Sequence, residues 1–310
     1  MLKRLLVAAD VDRTLIERVS SDPRFHVRLQ PVRTEDELLS VIGDAEVLVT
    51  RAYNKVTRRV MERATSLELI AQGTSGTDNI DDVAARERGI SIVSLPGENA
   101  NAVAELVIGS IISLTRTVPF YTREVVNSRW HRDDCATRHE MHHYRLGIIG
   151  LGQVGRRVAR LAGAFGMPVT AFDPYITNED FAERGAVRAG TLPSLLHHSD
   201  IVTIHVPLSR ETRGMLGSSE MASLKRGSMV ISMARGEALD QDAALELLAS
   251  GHLAGLAIDV FDPEPPAGGF PDDPRLILTP HIAGCSHECK AAIGAKLFEK
   301  IAEFYSSSRA

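Results

Sequence analysis

The sequence predicts an α/β protein with two doubly wound parallel-sheet domains, one inserted into the other. Three observations carry this. Short apolar runs alternate with helical patterns along nearly the whole chain, which implies parallel strands covered by helices on both faces. The length, 310 residues, suits about two domains, each with its own core. A glycine-rich turn between a strand and a helix begins only at Gly150, after about 145 residues that carry a sheet pattern of their own.

The elements follow in order. Leu2–Ala9 reads as a strand, and an amphipathic stretch starts at Asp12. Phe25–Gln30 is the next strand. Thr34 and Glu37 form a capping box, in which a hydroxyl and a carboxylate three residues apart satisfy free amides at a helix start. Val47–Thr50, Leu67–Ala71 and Ser91–Ser94 are further strands, with helical patterns between them. A long helix is expected from Ala100 to Asn127, kinked or ended at Pro119. The polar stretch Ser128–Arg145 interrupts the alternation. It restarts with strands at Leu146–Ile149, Val169–Phe172, Ile201–Ile204, Met229–Ser232, Gly255–Ile258 and Leu276–Leu278. Pro263–Pro274 holds five prolines and two glycines and is read as a loop, and Ser286–Tyr305 as a final helix.

Composition narrows the function classes. Lys+Arg 35 against Asp+Glu 40 gives a net charge of -5, and no basic block marks a nucleic-acid surface. Anionic ligands must then be drawn in by local groups. Three cysteines are too few for a disulfide framework, which points to a reducing, cytoplasmic setting. The first apolar stretch meets Asp10 too soon for a signal peptide, and Val103–Leu114 is short enough to be a buried helix, so no membrane partner is expected.

The strand Leu146–Ile149 runs into Gly150-Leu151-Gly152-Gln153-Val154-Gly155 and then a helical pattern. Gly150 permits the tight turn, Gly152 lets the backbone approach a pyrophosphate, and Gly155 lets helix and strand pack closely. The helix start offers free amides and a positive dipole end to the phosphates. A second strand ends at Asp173, 23 residues past Gly150, where a carboxylate binds ribose hydroxyls and repels a ribose phosphate. The expected cofactor is NAD rather than NADP. The other reading of Asp173 is a helix cap ahead of Pro174.

Three later segments carry chemistry, each just after a strand. They are Ser232-Met233-Ala234-Arg235-Gly236-Glu237, Asp259-Val260-Phe261-Asp262-Pro263-Glu264, and Thr279-Pro280-His281-Ile282-Ala283-Gly284. Strand carboxyl ends line the ligand crevice of a doubly wound sheet. An arginine there can hold a carboxylate or polarise a carbonyl, and a histidine paired with a carboxylate can exchange a proton near neutral pH. Beside a nicotinamide this set suits reduction of a 2-keto acid. The plain reading of Arg235 is a surface ion pair.

Together, Leu146–Gly155, His205-Val206-Pro207-Leu208, Met233–Gly236, Asp259–Pro266 and Thr279–Gly284 resemble the D-isomer-specific 2-hydroxyacid dehydrogenases. This family includes phosphoglycerate and glyoxylate/hydroxypyruvate dehydrogenases, and the likeness covers nearly the whole chain. It implies that Arg235 binds substrate, that His281 is the acid/base, and that Glu264 is the partner of that histidine. It implies that Asp259 binds the nicotinamide carboxamide, and that Gln153, Val154, His205, Val206, Pro207, Met233, Ala234 and Gly284 line the NAD site. In Gln72–Asp81 the amides of Ser75 and Gly76 would hold the substrate carboxylate as an anion nest, and Arg51, Asn99 and Glu105 also fall on family positions. The implied architecture is a Rossmann NAD domain, residues 101–284, inserted in a flavodoxin-like substrate domain, residues 1–100 and 285–310. A homodimer through the NAD domain is the family expectation. Ser232 stands where the family often has Asn. Gln72 stands where some phosphoglycerate-type members carry a basic residue, which weakens the case for a phosphorylated substrate, although Arg51 remains available.

Other features have plain readings. His281, Cys285, His287 and Cys289 show metal-ligand spacing, but helix cysteines are usually small buried residues, so no metal is expected. His131, Cys135, His139, His142 and His143 cluster in a segment without apolar periodicity, read as an exposed inter-lobe or subunit-contact stretch. His205 is read as cofactor wall in preference to a second acid. The alternative function is a non-catalytic NAD(H)-sensing binding protein of the corepressor type.

Overall fold

The computed structural model describes residues 2–134 and 138–307. Cys135, from the histidine-rich stretch, lies outside the described residues. The chain divides into two compact units, Met1–Asn99 with Cys285–Ala310, and Ala100–Gly284.

The first unit has strands β1 (Lys3–Val7), β2 (Phe25–Leu29), β3 (Val47–Thr50), β4 (Leu69–Gln72) and β5 (Ser91–Val93). All pairings are parallel, in the order β2-β1-β3-β4-β5. This is the flavodoxin-like order, whose crevice lies at the carboxyl ends of β1 and β3. Helices α1 (Arg13–Ser21), α2 (Glu35–Val41), α3 (Arg58–Arg63) and α4 (Asp82–Glu87) connect them. Asp12 caps α1 by accepting the Thr14 amide at 2.8 Å, and the Thr34–Glu37 capping box opens α2. Alternate strand residues feed opposite faces, as the two-residue period requires. Leu5, Val7 and Leu69 pack with Leu15 and Leu297, and Leu6, Leu48 and Ile70 with Leu38 and Met61. Leu297 belongs to the last helix of the chain, which therefore completes this core.

The second unit has seven parallel strands: β6 (Leu146–Ile149), β7 (Val169–Phe172), β8 (Val187–Arg188), β9 (Ile201–Ile204), β10 (Ser228–Ser232), β11 (Leu253–Ile258) and β12 (Leu276–Leu278). Their order is β12-β11-β10-β9-β6-β7-β8. Counted from β6, this is the Rossmann order with a seventh strand at one edge. The strand order reverses between β6 and β9, so the loops after these two flank the crevice.

The long helix expected over Ala100–Asn127 is two helices, α5 (Ala100–Thr115) and α6 (Val118–Val126), bent by 60°. The break precedes Pro119. Thr117 adopts φ 50, and the proline lies in the first turn of α6, where a missing amide removes no helical bond. Val103, Val107 and Ile111 of α5 are buried in the core of this unit. Among the described residues no single helix is long and apolar enough to cross a membrane. Strand β8 was not expected, because two residues are too few to show a period. The expected loop after β11 has no regular structure through Pro274.

Candidate functional site

The glycine loop follows β6 at the crevice. Gly150 has φ 86, and a Cβ there would stand 2.6 Å from the His205 carbonyl oxygen. A Cβ on Gly155 would stand 2.1 Å from the carbonyl oxygen of Gly150, so α7 (Gln153–Ala164) packs on the turn only with glycine at that position. At Gly152 the missing side chain faces open space. Side-chain-free backbone and the first amides of α7 thus face outward together, a cradle suited to a pyrophosphate. The residues fit NAD on this ground.

Asp173 follows β7. Its Oδ2 accepts the Leu151 amide at 2.9 Å and its Oδ1 accepts the Tyr175 amide at 3.0 Å. Arg184 donates to the Leu151 carbonyl at 2.8 Å. Asp173 is therefore no helix cap: it braces the glycine loop while lying where a ribose is expected. His205 follows β9, with Nε2 3.0 Å from the Thr203 hydroxyl. Burial pushes its pKa down to about 3, which favours the neutral ring. Val206 flanks Gly150, Met233 is buried, and Gln153, Pro207 and Ala234 keep exposed surface.

The three residues expected to carry the chemistry stand on the loops after β10, β11 and β12. His281 Nδ1 lies 2.8 Å from Glu264 Oε2, and the two side chains keep 46% and 37% of their surface exposed. The bond from Glu264 raises the pKa of His281, outweighing desolvation, and the charges of Glu264 and Asp259 add to the effect. Burial works against the Glu264 charge, but the bonds from His281 and from the Phe261 amide, at 2.9 Å, hold its pKa below the usual carboxylate range. The charge of Arg235 acts on both groups, so the three sequence-predicted residues are brought together. Arg235 Nη1 donates to the Ala234 carbonyl at 2.8 Å.

Asp259 follows β11. It is fully buried and accepts from Thr279 Oγ1 at 2.6 Å, the Ile282 amide at 2.8 Å and the Ala283 amide at 2.9 Å. It holds the turn that carries His281. That turn is strained: His281 has φ 52, a left-handed conformation that side chains with a Cβ resist. The His281 amide, 2.8 Å from the Asp259 carbonyl and 3.0 Å from that of Thr279, helps fix it. Gly284 follows this turn and is partly buried.

In the first unit, Arg51 follows β3 at the crevice, with Nη1 3.4 Å from the Asp10 carbonyl. After β4, the amides of Ser75 and Gly76 donate no backbone hydrogen bond among the described residues, as an anion nest requires. Ser75 Oγ donates to Asn99 Oδ1 at 2.8 Å, which ties two expected substrate residues together. In the second unit, Glu105 lies on the exposed side of α5 and accepts from Asn101 at 2.6 Å.

The sequence profile of the D-isomer specific 2-hydroxyacid dehydrogenase family, NAD binding domain, matches residues 108–283. The chain belongs to this family. A D-3-phosphoglycerate dehydrogenase of Methanocaldococcus jannaschii is 37% identical over 86% of this chain and 51% of its own length. The chain thus spans about half the length of the phosphoglycerate dehydrogenases at the head of the comparison. A hydroxypyruvate reductase of Thermotoga maritima is 34% identical over 86% of this chain and 87% of its own. The crystal structure of an Aquifex aeolicus D-lactate dehydrogenase complexed with NAD and lactic acid superposes with a TM-score of 0.88 at 25% identity, covering 98% and 96% of the two chains.

Sequence reasoning missed the supports of this dehydrogenase-family site. Thr279 was seen only as part of a motif, although a hydroxyl two residues before His281 was the signal for a latch. Gly236 is a close-approach glycine: a Cβ there would stand 2.2 Å from the Phe261 carbonyl carbon and oxygen. A glycine directly after Arg235 at a strand end was the available clue. Ser232 Oγ, where the family often has Asn, is buried without a hydrogen-bond partner among the described residues.

Proposed function

We propose that this chain is an NAD-dependent oxidoreductase that interconverts a D-2-hydroxy acid and its 2-keto acid. One observation carries the reading: an imidazole held 2.8 Å from a carboxylate within range of the Arg235 charge. The glycine loop with Gly150, Gly152, Gln153, Val154 and Gly155 would hold the pyrophosphate, and Asp173 the ribose. Bound there, NAD supplies or accepts the hydride. His281, kept protonated by Glu264, delivers its Nε2 proton to the keto oxygen on reduction and takes it back on oxidation. Arg235 holds the substrate and polarises its carbonyl. The substrate carboxylate rests on the Ser75 and Gly76 amides, with Arg51 and Asn99 as neighbours.

Gln72 brings no charge to the substrate loop, which favours an unphosphorylated substrate of the hydroxypyruvate or glyoxylate type. The test is NADH oxidation with hydroxypyruvate, glyoxylate, 3-phosphohydroxypyruvate and longer 2-keto acids. Turnover is expected, and no turnover with any of them refutes the reading. A purely NAD(H)-sensing role gives the hydrogen-bonded His281–Glu264 pair nothing to do, so catalysis is preferred. We also propose a homodimer through the second unit, where Val118, Val125, Val126 and Trp130 are exposed, and a cytoplasmic location from cysteine usage. Sedimentation of a monomer would refute the dimer.

A further inference from the structure

We propose that Gln72 is a positioning residue, which with Asn79 and Asn54 fixes the Ser75–Gly76 amides and Arg51 in one frame. This rests on the 2-keto acid reading of the substrate loop given above.

The frame is a relay of three carboxamides whose orientations are forced. Asn54 is 1% exposed. Its Nδ2 donates to the carbonyls of Ala8 at 3.2 Å and Val32 at 2.9 Å, which can only accept. Its Oδ1 must therefore face Arg51, whose amide it accepts at 3.0 Å. Asn79 Nδ2 likewise donates to two carbonyls, Arg51 at 3.1 Å and Asn54 at 2.7 Å. That turns its Oδ1 toward Gln72, so Gln72 must present its amide nitrogen. Gln72 Nε2 lies 2.8 Å from Asn79 Oδ1, 3.0 Å from the Gly76 carbonyl and 2.8 Å from Thr74 Oγ1. Thr74 Oγ1 donates onward to the Gly76 carbonyl at 3.1 Å. The carbonyl of Gly76 is thus held from two sides, and the peptide planes that aim the nest are held with it. The same relay grips the backbone of Arg51 on both its amide and its carbonyl.

Gln72 is fully buried, and its Oε1 has no hydrogen-bond partner among the described residues. An unpartnered buried oxygen destabilises a fold. An apolar side chain of this length would remove that defect but strip Asn79 Oδ1 and the Gly76 carbonyl of a donor, so the worth of glutamine here lies in its amide nitrogen.

The test compares Gln72→Met, which keeps length and removes the donors, with Gln72→Glu, using hydroxypyruvate and NADH. Gln72→Met is expected to raise KM on the order of tenfold, the loss of one or two hydrogen bonds, with the Kd for NADH held and the melting temperature lowered, because Asn79 Oδ1 and the Gly76 carbonyl lose a donor. Gln72→Glu faces two acceptors, Asn79 Oδ1 and the Gly76 carbonyl, and can donate only when protonated. Its KM is expected to recover toward wild type as pH falls, a trend that Gln72→Met does not show. An unchanged KM in both variants would overturn the proposal. So would a raised KM that comes with an equal loss of NADH affinity. If the wild type reduces no 2-keto acid, the functional reading fails by itself. Hydrogen exchange then decides the relay on the amides of Gly73 and Ile80, which are bonded to the Thr50 and Thr77 carbonyls. Faster exchange in Gln72→Met supports it, and equal exchange overturns it.

Discussion

Glu264 binds His281 through one oxygen and the Phe261 amide through the other, at 2.8 Å and 2.9 Å. One side chain therefore sets the charge of the imidazole and is itself fixed by its own loop. Replacing Glu264 with Gln keeps the shape but removes the charge that raises the pKa of His281. The alkaline limb of the pH profile for keto-acid reduction should move to lower pH. An unmoved limb would show that Glu264 does not tune the histidine.

The same pair gives stability a pH window. The raised pKa of His281 contributes fully below the ordinary histidine value of 6.5 and is lost as pH rises through the folded value. The lowered pKa of Glu264 contributes above the ordinary value of 4.5 and is lost as pH falls through the folded one. The difference in melting temperature between wild type and Glu264→Gln should be largest between these two values. Because both side chains are over one-third exposed, solvent screens the effect and it should be small. A difference that grows at alkaline pH would contradict the assignment.

Asp259 acts through the turn it holds. In Asp259→Asn, one of the three donors on the carboxylate meets an amide group instead of an oxygen. The left-handed His281 then loses part of its support, and kcat should fall on the order of tenfold or more, as misplacing a catalytic group does. The Kd for NADH should change less than kcat. The reverse pattern would point to direct cofactor binding by Asp259 in place of a support role.

Gly236 joins the loop of Arg235 to that of Glu264. A Cβ in Gly236→Ala would overlap the Phe261 carbonyl, costing about 1–3 kcal/mol of stability as overpacking does. It should also lower kcat/KM for the keto acid by separating the two loops. Calorimetry and steady-state rates check this; a variant as stable and active as wild type would remove Gly236 from the account.

Asp173 has two tasks, so its substitutions should separate. Asp173→Asn keeps an oxygen for the Leu151 amide and removes the charge, and should relax the preference for NAD over NADP. Asp173→Ala also frees the glycine loop and should weaken binding of both cofactors. Unchanged selectivity in the Asn variant would refute the ribose assignment.

Most of the scaffold was legible because parallel strands buried on both faces read as short apolar runs. Val47–Thr50 and Leu146–Ile149 coincide with their predicted bounds for that reason. Pro119 signalled the break in the long helix but not its place at Arg116–Thr117, because the proline sits inside the first turn of the next helix. Arg235, Glu264 and His281 were readable as reactive types at strand ends. The Asp259 latch, the Gly236 contact and the Gln72 relay were not, because each depends on contacts between loops that a linear pattern does not bring together.

The central claim is that His281 is the proton donor to a 2-keto acid. The most direct measurement is the rate of NADH oxidation with hydroxypyruvate for wild type and His281→Ala, alongside NADH affinity for both. The account predicts a loss of about 10²–10⁴ in kcat for the variant, the usual worth of a general acid, with NADH affinity retained. Equal rates in the two proteins would contradict it.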